Sequence, residues 1–249
     1  SVIGSMRLLA QTSLPLIAEI QNARNLVWDG KLVAVGTGNA VYSSRTCVNG
    51  IRLSKTMYAK FGGLAAQYVQ GDGVLLDGSG GQFTYYNDLG TVTANGCGSS
   101  LSTLAVTASW SNRVDAGASA SFTQSTTINV SAIPPAAVDG IPWTVVIGTE
   151  PFIVESVNRA NGTITIFPWP SIGTNSGTLT YHYGAALRLK GGDAAANFAT
   201  LVEAFQAGLG VSVESLYGPR IGAIVSQACG VGLQVGNLKD DAVRGGSVG

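Results

Sequence analysis

The chain has 249 residues, of which 45% are hydrophobic and only 11% are charged. This length and apolar content suffice for a sizeable core and exclude an intrinsically disordered chain. The 14 basic and 14 acidic side chains cancel, so the sequence carries no electrostatic signature of nucleic-acid binding. No apolar run reaches the roughly 18 residues of a membrane span. We therefore expect neither a nucleic-acid partner nor membrane insertion.

The numbers and spacing of glycine and cysteine exclude further classes of protein. The 34 glycines are about twice the usual share but have no three-residue period, which excludes collagen. Cys47, Cys97 and Cys229 are widely spaced, which predicts reduced, buried thiols and no metal site or cofactor. The start lacks the layout of a signal peptide, and the absence of an initial methionine suggests a piece of a longer polypeptide.

Residues 14–26 carry the first recognisable element. Apolar residues fall at helical spacings, and Pro15 suits a first helical turn. The pattern predicts a short helix in the N-terminal segment, 1–25, that caps the open end of a β-stack. The apolar positions are Leu16, Ile17, Ile20 and Ala23.

Residues 26–104 consist of short β-prone runs separated by glycine and asparagine, such as KLVAVGTGNAVY and GVLLDGSGG. These runs are too short and too closely spaced for helices. Two folds fit them, an antiparallel sandwich with hairpin turns and a parallel β-solenoid.

An internal repeat favours the solenoid. Residues 51–69 align without a gap on residues 211–229 at a constant offset of 160 positions. Distant segments with the same apolar and glycine pattern suggest one structural unit used more than once. The solenoid predicts stacked parallel strands in 26–104 and 185–249, with Leu64 and Ile224 both pointing inward.

Residues 105–184 differ from the flanking segments and predict an antiparallel β-domain inserted into the solenoid. Segments such as WTVVIGTEPFIVESV and GTITIFPWP alternate apolar and polar residues with period two. Asn161-Gly162 is a strong hairpin signal, which predicts that Val154 and Ile166 lie on paired strands. Insertions into solenoids form loops on one face, often the binding face.

Residues 185–249 predict a return to the solenoid, with a short helix near 193–207. Asp193 is a good N-cap for this helix, and Gly208 is a good end. Its apolar stripe contains Phe198, Leu201, Val202 and Phe205.

The segments GDGVLLDGSGG (71–81), TVTANGCG (91–98) and VSVESLYGPRIGAIVSQACGVGLQVGN (211–237) resemble the right-handed parallel β-helix of bacteriophage tail spikes and tail fibres. The resemblance covers 26–104 and 185–249. It implies an all-β, right-handed parallel β-helix, here with the capping helix and the inserted domain. It also implies an extracellular virion protein, a homotrimer that contacts other tail proteins and host-surface polysaccharide and in some members cuts that polysaccharide.

Carboxylates are the first candidates for catalysis, because glycan hydrolysis needs two carboxyl groups about 5 to 9.5 Å apart. Asp72 and Asp77 lie five positions apart in GDGVLLDG (71–78), where an aspartate beside glycine is also ordinary turn chemistry. Glu214 follows Val211 and Val213, so it should point outward, either into a groove or simply into solvent.

No catalytic motif accompanies these acids. His182 is the only histidine, which excludes a histidine cluster for metal. No nucleophile-elbow motif accompanies it, so a place on a strand surface fits it better than a Ser-His-Asp triad. The residues fit both a polysaccharide depolymerase and a protein without catalytic activity.

Four aromatic residues of the insert are candidates for stacking on sugars: Trp143, Trp169, Tyr181 and Tyr183. The alternative is that a small β-domain uses these side chains as its core.

Three functions therefore fit the sequence. The first is a structural, receptor-contacting segment of a phage tail spike or fibre that binds host-surface polysaccharide. The second is a polysaccharide depolymerase, hydrolase or lyase, acting on host capsule or O-antigen. The third is a bacterial surface adhesin with a β-solenoid stalk.

Overall fold

The computed structural model describes residues 2, 4–109, 126–133, 143–147, 150–167, 176–214, 218–235 and 247–248. These residues contain strands and two short 3-10 turns, Tyr42–Ser44 and Ser79–Gly81, but no α-helix. The prediction of an all-β chain is confirmed. The chain forms two compact units, Ser1–Ser99 with Gly184–Gly249 and Ser100–Tyr183.

The first unit is built on two six-stranded parallel sheets. Sheet one contains, in spatial order, β1 (Met6–Leu9), β3 (Val27–Val35), β5 (Lys60–Val69), β7 (Thr91–Cys97), β16 (Leu201–Phe205) and β19 (Ile224–Gln227). Sheet two contains β2 (Leu16–Gln21), β4 (Asn49–Ser54), β6 (Val74–Asp77), β14 (Ala185–Lys190), β17 (Leu209–Val213) and β20 (Val231–Val235). A third, smaller sheet contains β15 (Phe198–Ala199), β18 (Arg220–Ile221) and β21 (Ser247–Val248).

Within the first unit the chain visits the two large sheets alternately, so each strand pairs in parallel with the strand of the next repeat. Side chains at equivalent positions therefore stack in ladders. An inward ladder of sheet one contains Leu32, Leu64, Val92, Val202 and Ile224, and it continues to the exposed Met6. The facing ladder of sheet two contains Ala18, Ile51, Val74, Leu187 and Val211, and it continues to the exposed Leu233. These two ladders supply much of the core between the sheets.

The internal repeat is confirmed position by position. Leu64 and Ile224 lie on one ladder, and Ile51 and Val211 lie on another. Leu64 is fully buried, and the partly buried Ile224 packs against the same core. The offset of 160 positions therefore relates equivalent places in different repeats.

Two corner positions keep the same backbone conformation in four successive repeats. One corner column places Asn25, Tyr58, Tyr86 and Ala196 in the left-handed backbone region, with φ between 50° and 54°. A second column does the same with Tyr68, Gly96, Gln206 and Ala228, with φ between 52° and 65°. Residues other than glycine seldom adopt this region, so only the repeated geometry of the stack accounts for so many of them.

Buried polar side chains close the corners of the first unit. Asn87 and Asn197 lie on neighbouring repeats, and the backbone N–H of Asn87 donates to the side-chain oxygen of Asn197 at 3.0 Å. Arg45 is 3% exposed and donates to the backbone carbonyls of Asn39, Ala40 and Gly98. Such contacts satisfy backbone groups that the sheets leave unpaired.

The two predicted helices are wrong. Residues 16–21 of the expected capping helix form β2, in which the inward Ala18 and Ile20 stack on Ile51 and Leu53. The spacing of Leu16, Ile17 and Ile20 mimics a helix because Ile17 adds an apolar residue between inward positions.

The segment near 193–207 likewise forms β15 and β16 instead of a helix. Val202 and Ala204 point inward and stack on Val92 and Ala94. Parallel pairing on both sides outweighs the helical preference of this alanine-rich segment, as tertiary context commonly does.

The second unit contains a closed barrel with the strand order β10-β11-β12-β9-β8-β13. These strands are β8 (Ser99–Ser109), β9 (Thr126–Val130), β10 (Trp143–Ile147), β11 (Glu150–Asn158), β12 (Thr163–Phe167) and β13 (Ser176–Tyr183). The pairs that the structure details are antiparallel, and Val154 pairs with Ile166 as the hairpin signal predicts. Gly162, with φ of 62°, ends the loop of this hairpin.

Gly98 and Gly184 meet in the first unit, one before and one after the segment Ser100–Tyr183. A Cβ placed on Gly184 would lie 2.5 Å from the Cα of Gly98, so only glycine fits there. Both glycines have positive φ, 67° and 73°. The chain therefore leaves and re-enters the first unit at one point, the geometry that an inserted unit requires.

Candidate functional site

Asp72 and Glu214, two of the candidate acids, meet on one arginine. Arg188, in β14, donates from Nε to Glu214 at 2.8 Å and from Nη1 to Asp72 at 3.4 Å. The other carboxylate oxygen of Asp72 accepts from the backbone N–H of Ala185 at 2.9 Å. The side chains of all three charged residues are at most 6% exposed. The arrangement is a buried ion triad with two negative charges and one positive charge.

Burial decides the electrostatics of this triad. Desolvation raises the pKa of Asp72 above its usual value, although the Arg188 charge opposes the rise. Desolvation alone would lower the pKa of Arg188, but Asp72 and Glu214 outweigh it and raise that pKa. The guanidinium thus stays charged and holds both carboxylates in place.

Glu214 follows the core residues Val211 and Val213 of sheet two, but it is not solvated. It is 5% exposed because Arg188, on the neighbouring strand, binds its carboxylate. Asp72 is 1% exposed. Carboxylates so enclosed do not reach a polymeric substrate, so the triad acts as a structural link between β14, the end of β17 and the turn before β6.

Asp77 is the last residue of β6 and takes no part in the ion triad. One carboxylate oxygen accepts from the backbone N–H of Ser79 at 3.0 Å and from the Ser79 hydroxyl. The other binds Arg52 at 2.7 Å. Burial would raise the pKa of Asp77, but the Ser79 hydrogen bonds and the charges of Lys190 and Arg52 together lower it. This is the turn role that an aspartate beside glycine suggests.

Two of the four aromatic candidates of the insert are buried. Tyr181 and Tyr183 of β13 are 1% and 0% exposed, so they belong to the core of the second unit. The Tyr181 hydroxyl donates to the backbone carbonyl of Ala132 at 3.0 Å, and burial raises its pKa to about 12. Trp143 is part of β10, but its side chain lies outside the described residues, as does the whole of Trp169.

His182 also differs from the expected surface residue. It is 6% exposed, and burial lowers its pKa, which favours the neutral imidazole. Its Nδ1 has no hydrogen-bond partner among the described residues. A neutral, enclosed histidine suits packing better than catalysis.

An exposed aromatic cluster instead lies on the first unit, in the segments that precede β5 and β7. Tyr58 and Tyr86 stack with ring centroids 5.4 Å apart and ring planes 6° from parallel. Tyr85 meets Tyr86 edge to face at 6.1 Å, and Phe83 meets Tyr85 at 5.3 Å. Tyr58, Phe83 and Tyr86 are 48%, 52% and 56% exposed. We call Tyr58, Phe83, Tyr85 and Tyr86 the aromatic cluster.

The stacking of repeats creates this cluster. Met57 and Tyr85 form a parallel bridge, and so do Lys60 and Asp88, so Tyr58 and Tyr86 occupy one corner column. The next residues along the chain, Ala59 and Asn87, are buried. Tyr58, Lys60 and Tyr86 are exposed, and Asp88 is partly exposed, so these four side chains reach the surface.

Polar groups border the aromatic cluster. The Tyr85 hydroxyl donates to the Asp193 carboxylate at 2.9 Å. Lys60 is exposed, and Asp88, partly exposed, accepts from the N–H of Gly90 at 3.0 Å. Flat apolar faces and charged or hydroxyl groups thus adjoin on one surface.

Sequence reasoning missed the aromatic cluster, although a signal was present. The segments MYAK (57–60) and YYND (85–88) share a tyrosine followed two positions later by a charged residue. A comparison at an offset of 28 positions, equal to one repeat, aligns them as the structure does.

Other chemistry is limited in the described part of the chain. No group of three or more His, Cys, Asp or Glu side chains is arranged to hold a metal ion in those segments. All three cysteines are free thiols; Cys47 and Cys97 are buried, as predicted, whereas Cys229 is partly exposed. Burial raises the pKa of Cys97 to about 12. Within the same segments, no helix has the length and apolarity to cross a bilayer.

Comparison with known proteins gives no relative. No family model, no curated protein and no solved structure matches the chain.

Proposed function

We propose that this chain is a parallel β-helix segment of a phage tail spike or fibre, extracellular in the virion, that contacts host-surface polysaccharide. The supporting observation is the register of the first unit. Ladders and left-handed corners recur through successive repeats while the chain alternates between two parallel sheets. A stack of this kind displays its corner residues at regular intervals, which suits attachment to a repetitive polymer.

The inserted barrel supports the same proposal. A stack interrupted at one point, between Gly98 and Gly184, carries a separately folded unit without disturbing its register: β7 pairs with β16, and β6 with β14, across the interruption. Display of an additional unit from a rigid scaffold is typical of proteins whose function is contact.

The acids do not favour a depolymerase. Asp72 and Glu214 are buried on Arg188, and Asp77 is engaged by Ser79 and Arg52. The structure gives no specific support to this alternative, so binding is the function that we propose.

Assembly is part of the proposal. We propose a homotrimer with parallel chains, as in the tail spikes that the sequence resembles. Sedimentation equilibrium of the chain at micromolar concentration tests it, with an expected mass of three times 25.4 kDa.

The binding experiment uses an array of purified bacterial O-antigens and capsular polysaccharides. We expect the unaltered chain to bind at least one of them. A monomer that binds none would contradict the proposed function.

A further inference from the structure

The aromatic cluster is unusual because neither core packing nor the backbone conformation explains why its rings are present. Tyr58 and Tyr86 are about half exposed, so they add little to burial of the core. Both have φ of 54°, a region that favours glycine or asparagine. The same corner column contains Asn25 and Ala196, so the geometry does not require tyrosine.

Exposure of three large rings in one cluster points to a ligand. The rings are also pre-ordered, because Tyr58 stacks on Tyr86 and Tyr85 is anchored to Asp193. Pre-ordered side chains lose less conformational entropy when a ligand binds.

The chemistry of the surface identifies the ligand class. Pyranose rings combine apolar C–H faces with hydroxyl groups at the rim. The aromatic cluster offers apolar ring faces, and the Asp193 carboxylate binds the hydroxyl of one of its rings. Lys60 and Asp88 follow the two stacked tyrosines by two positions along the chain and add a positive and a negative charge to the same segments. Tyrosine itself combines an apolar body with a polar tip.

We propose that the aromatic cluster is a polysaccharide-binding site. Tyr58, Phe83 and Tyr86 pack against pyranose faces, while Lys60 and Asp193 bind sugar hydroxyl groups. This site rests on the proposed function and gives it a location, on the first unit and not on the inserted barrel.

A second copy of the chain fits this surface less well than a glycan. The centres of protein interfaces are depleted in charged residues. Here the stacked tyrosines, Tyr58 and Tyr86, are each followed by a buried residue and then by a charged one, Lys60 or Asp88. The ladder arrangement also suits a repeating ligand, since neighbouring strands lie about 4.8 Å apart.

Asparagine is the appropriate replacement for the test, because it tolerates the left-handed region and already occupies this column at Asn25. We expect Tyr58→Asn and Tyr86→Asn each to weaken binding of a polysaccharide that the unaltered chain binds on the array by about tenfold. This is roughly the affinity that one aromatic ring contact contributes. The matched control is Tyr68→Asn, since Tyr68 has φ of 57° in the other corner column.

The outcomes separate the two proposals. If the unaltered chain binds no polysaccharide on the array, both the site and the proposed function are overturned. If it binds and the two tyrosine variants bind equally well, the site is wrong and the function stands. If the variants alter the sedimenting mass but not glycan affinity, the cluster is an interface between copies, which also overturns the site.

Discussion

At the scale of single residues, the ion triad of Asp72, Arg188 and Glu214 combines stabilising contacts with a large desolvation penalty. Three charges leave water together, and their mutual attraction offsets that penalty only while all three are present. Removing the central positive charge leaves two buried carboxylates with no counter-charge in the triad.

We therefore expect Arg188→Met to reduce the free energy of unfolding by about 3–5 kcal/mol. The triple variant Asp72→Asn, Arg188→Met, Glu214→Gln should recover much of this loss, because no buried charge remains in the triad. Urea denaturation of the three proteins measures both effects. A single variant as stable as the unaltered chain would contradict this account.

Asp77 gives a pH-dependent prediction. Its pKa is lowered in the folded chain, so its contribution is fully present above the ordinary value of 3.8 and is lost as the pH falls through the lower folded value. Asp77→Asn should therefore be less stable by about 1–2 kcal/mol at pH 7. The gap should narrow below pH 3.8, as denaturation at several pH values can measure.

The exposed Asp29, changed to Asn, is the control for loss of one negative charge. A difference between Asp77→Asn and the unaltered chain that is constant with pH would show that the carboxylate charge is irrelevant.

At the scale of elements, one inward ladder consists of small residues. Ala34, Ala66, Ala94 and Ala204 stack through successive strands of sheet one, and all are fully buried. Cys97 and Ala186 belong to the same small-residue cluster. The close approach of the chain here leaves no room for larger side chains.

Ala94→Leu should destabilise the first unit by about 1–3 kcal/mol through overpacking. The control is Thr91→Leu, since Thr91 is on the same strand but is partly exposed on the outer side. Denaturation midpoints of both variants check the prediction, and equal effects would contradict the assignment of inward and outward faces.

The sequence predicts elements well where its pattern has only one physical explanation. Alternation in β11 and β12 predicts the correct hairpin partners, Val154 and Ile166. The sequence-based prediction fails near 16–21 and 193–207. In both segments the spacing of apolar residues fits a helix, and only pairing with strands distant in sequence favours the extended conformation.

The candidate site was also predictable only in part. Single residues such as Asp72 and Glu214 are recognisable, but their common partner is not. Arg188 lies 116 positions from Asp72, and no local pattern predicts that contact. The aromatic cluster was predictable only from a comparison at the repeat length, because each tyrosine alone resembles an ordinary β-prone residue.

At the scale of the whole molecule, the interruption at Gly98 and Gly184 predicts independence of the first unit. Replacing Ser100–Tyr183 by two glycines should leave a protein with parallel sheets, since the two ends already meet. Circular dichroism and hydrogen exchange should show native-like strands and protection in Leu64, Val92 and Val202. Loss of that protection would show that the stack depends on the insert.

The junction also has a consequence for the order of folding. Val92 pairs with Val202, so that contact closes a loop of more than a hundred residues while the segment between them is unfolded. Loop-closure entropy grows with length, and contacts between distant residues slow folding. Once the barrel has formed, with β8 beside β13, its two ends are held as neighbours and the loop is effectively short. Formation of the barrel should therefore lower the entropic cost of pairing β14 and β16 with the earlier strands. We expect these pairings to form after the barrel during refolding.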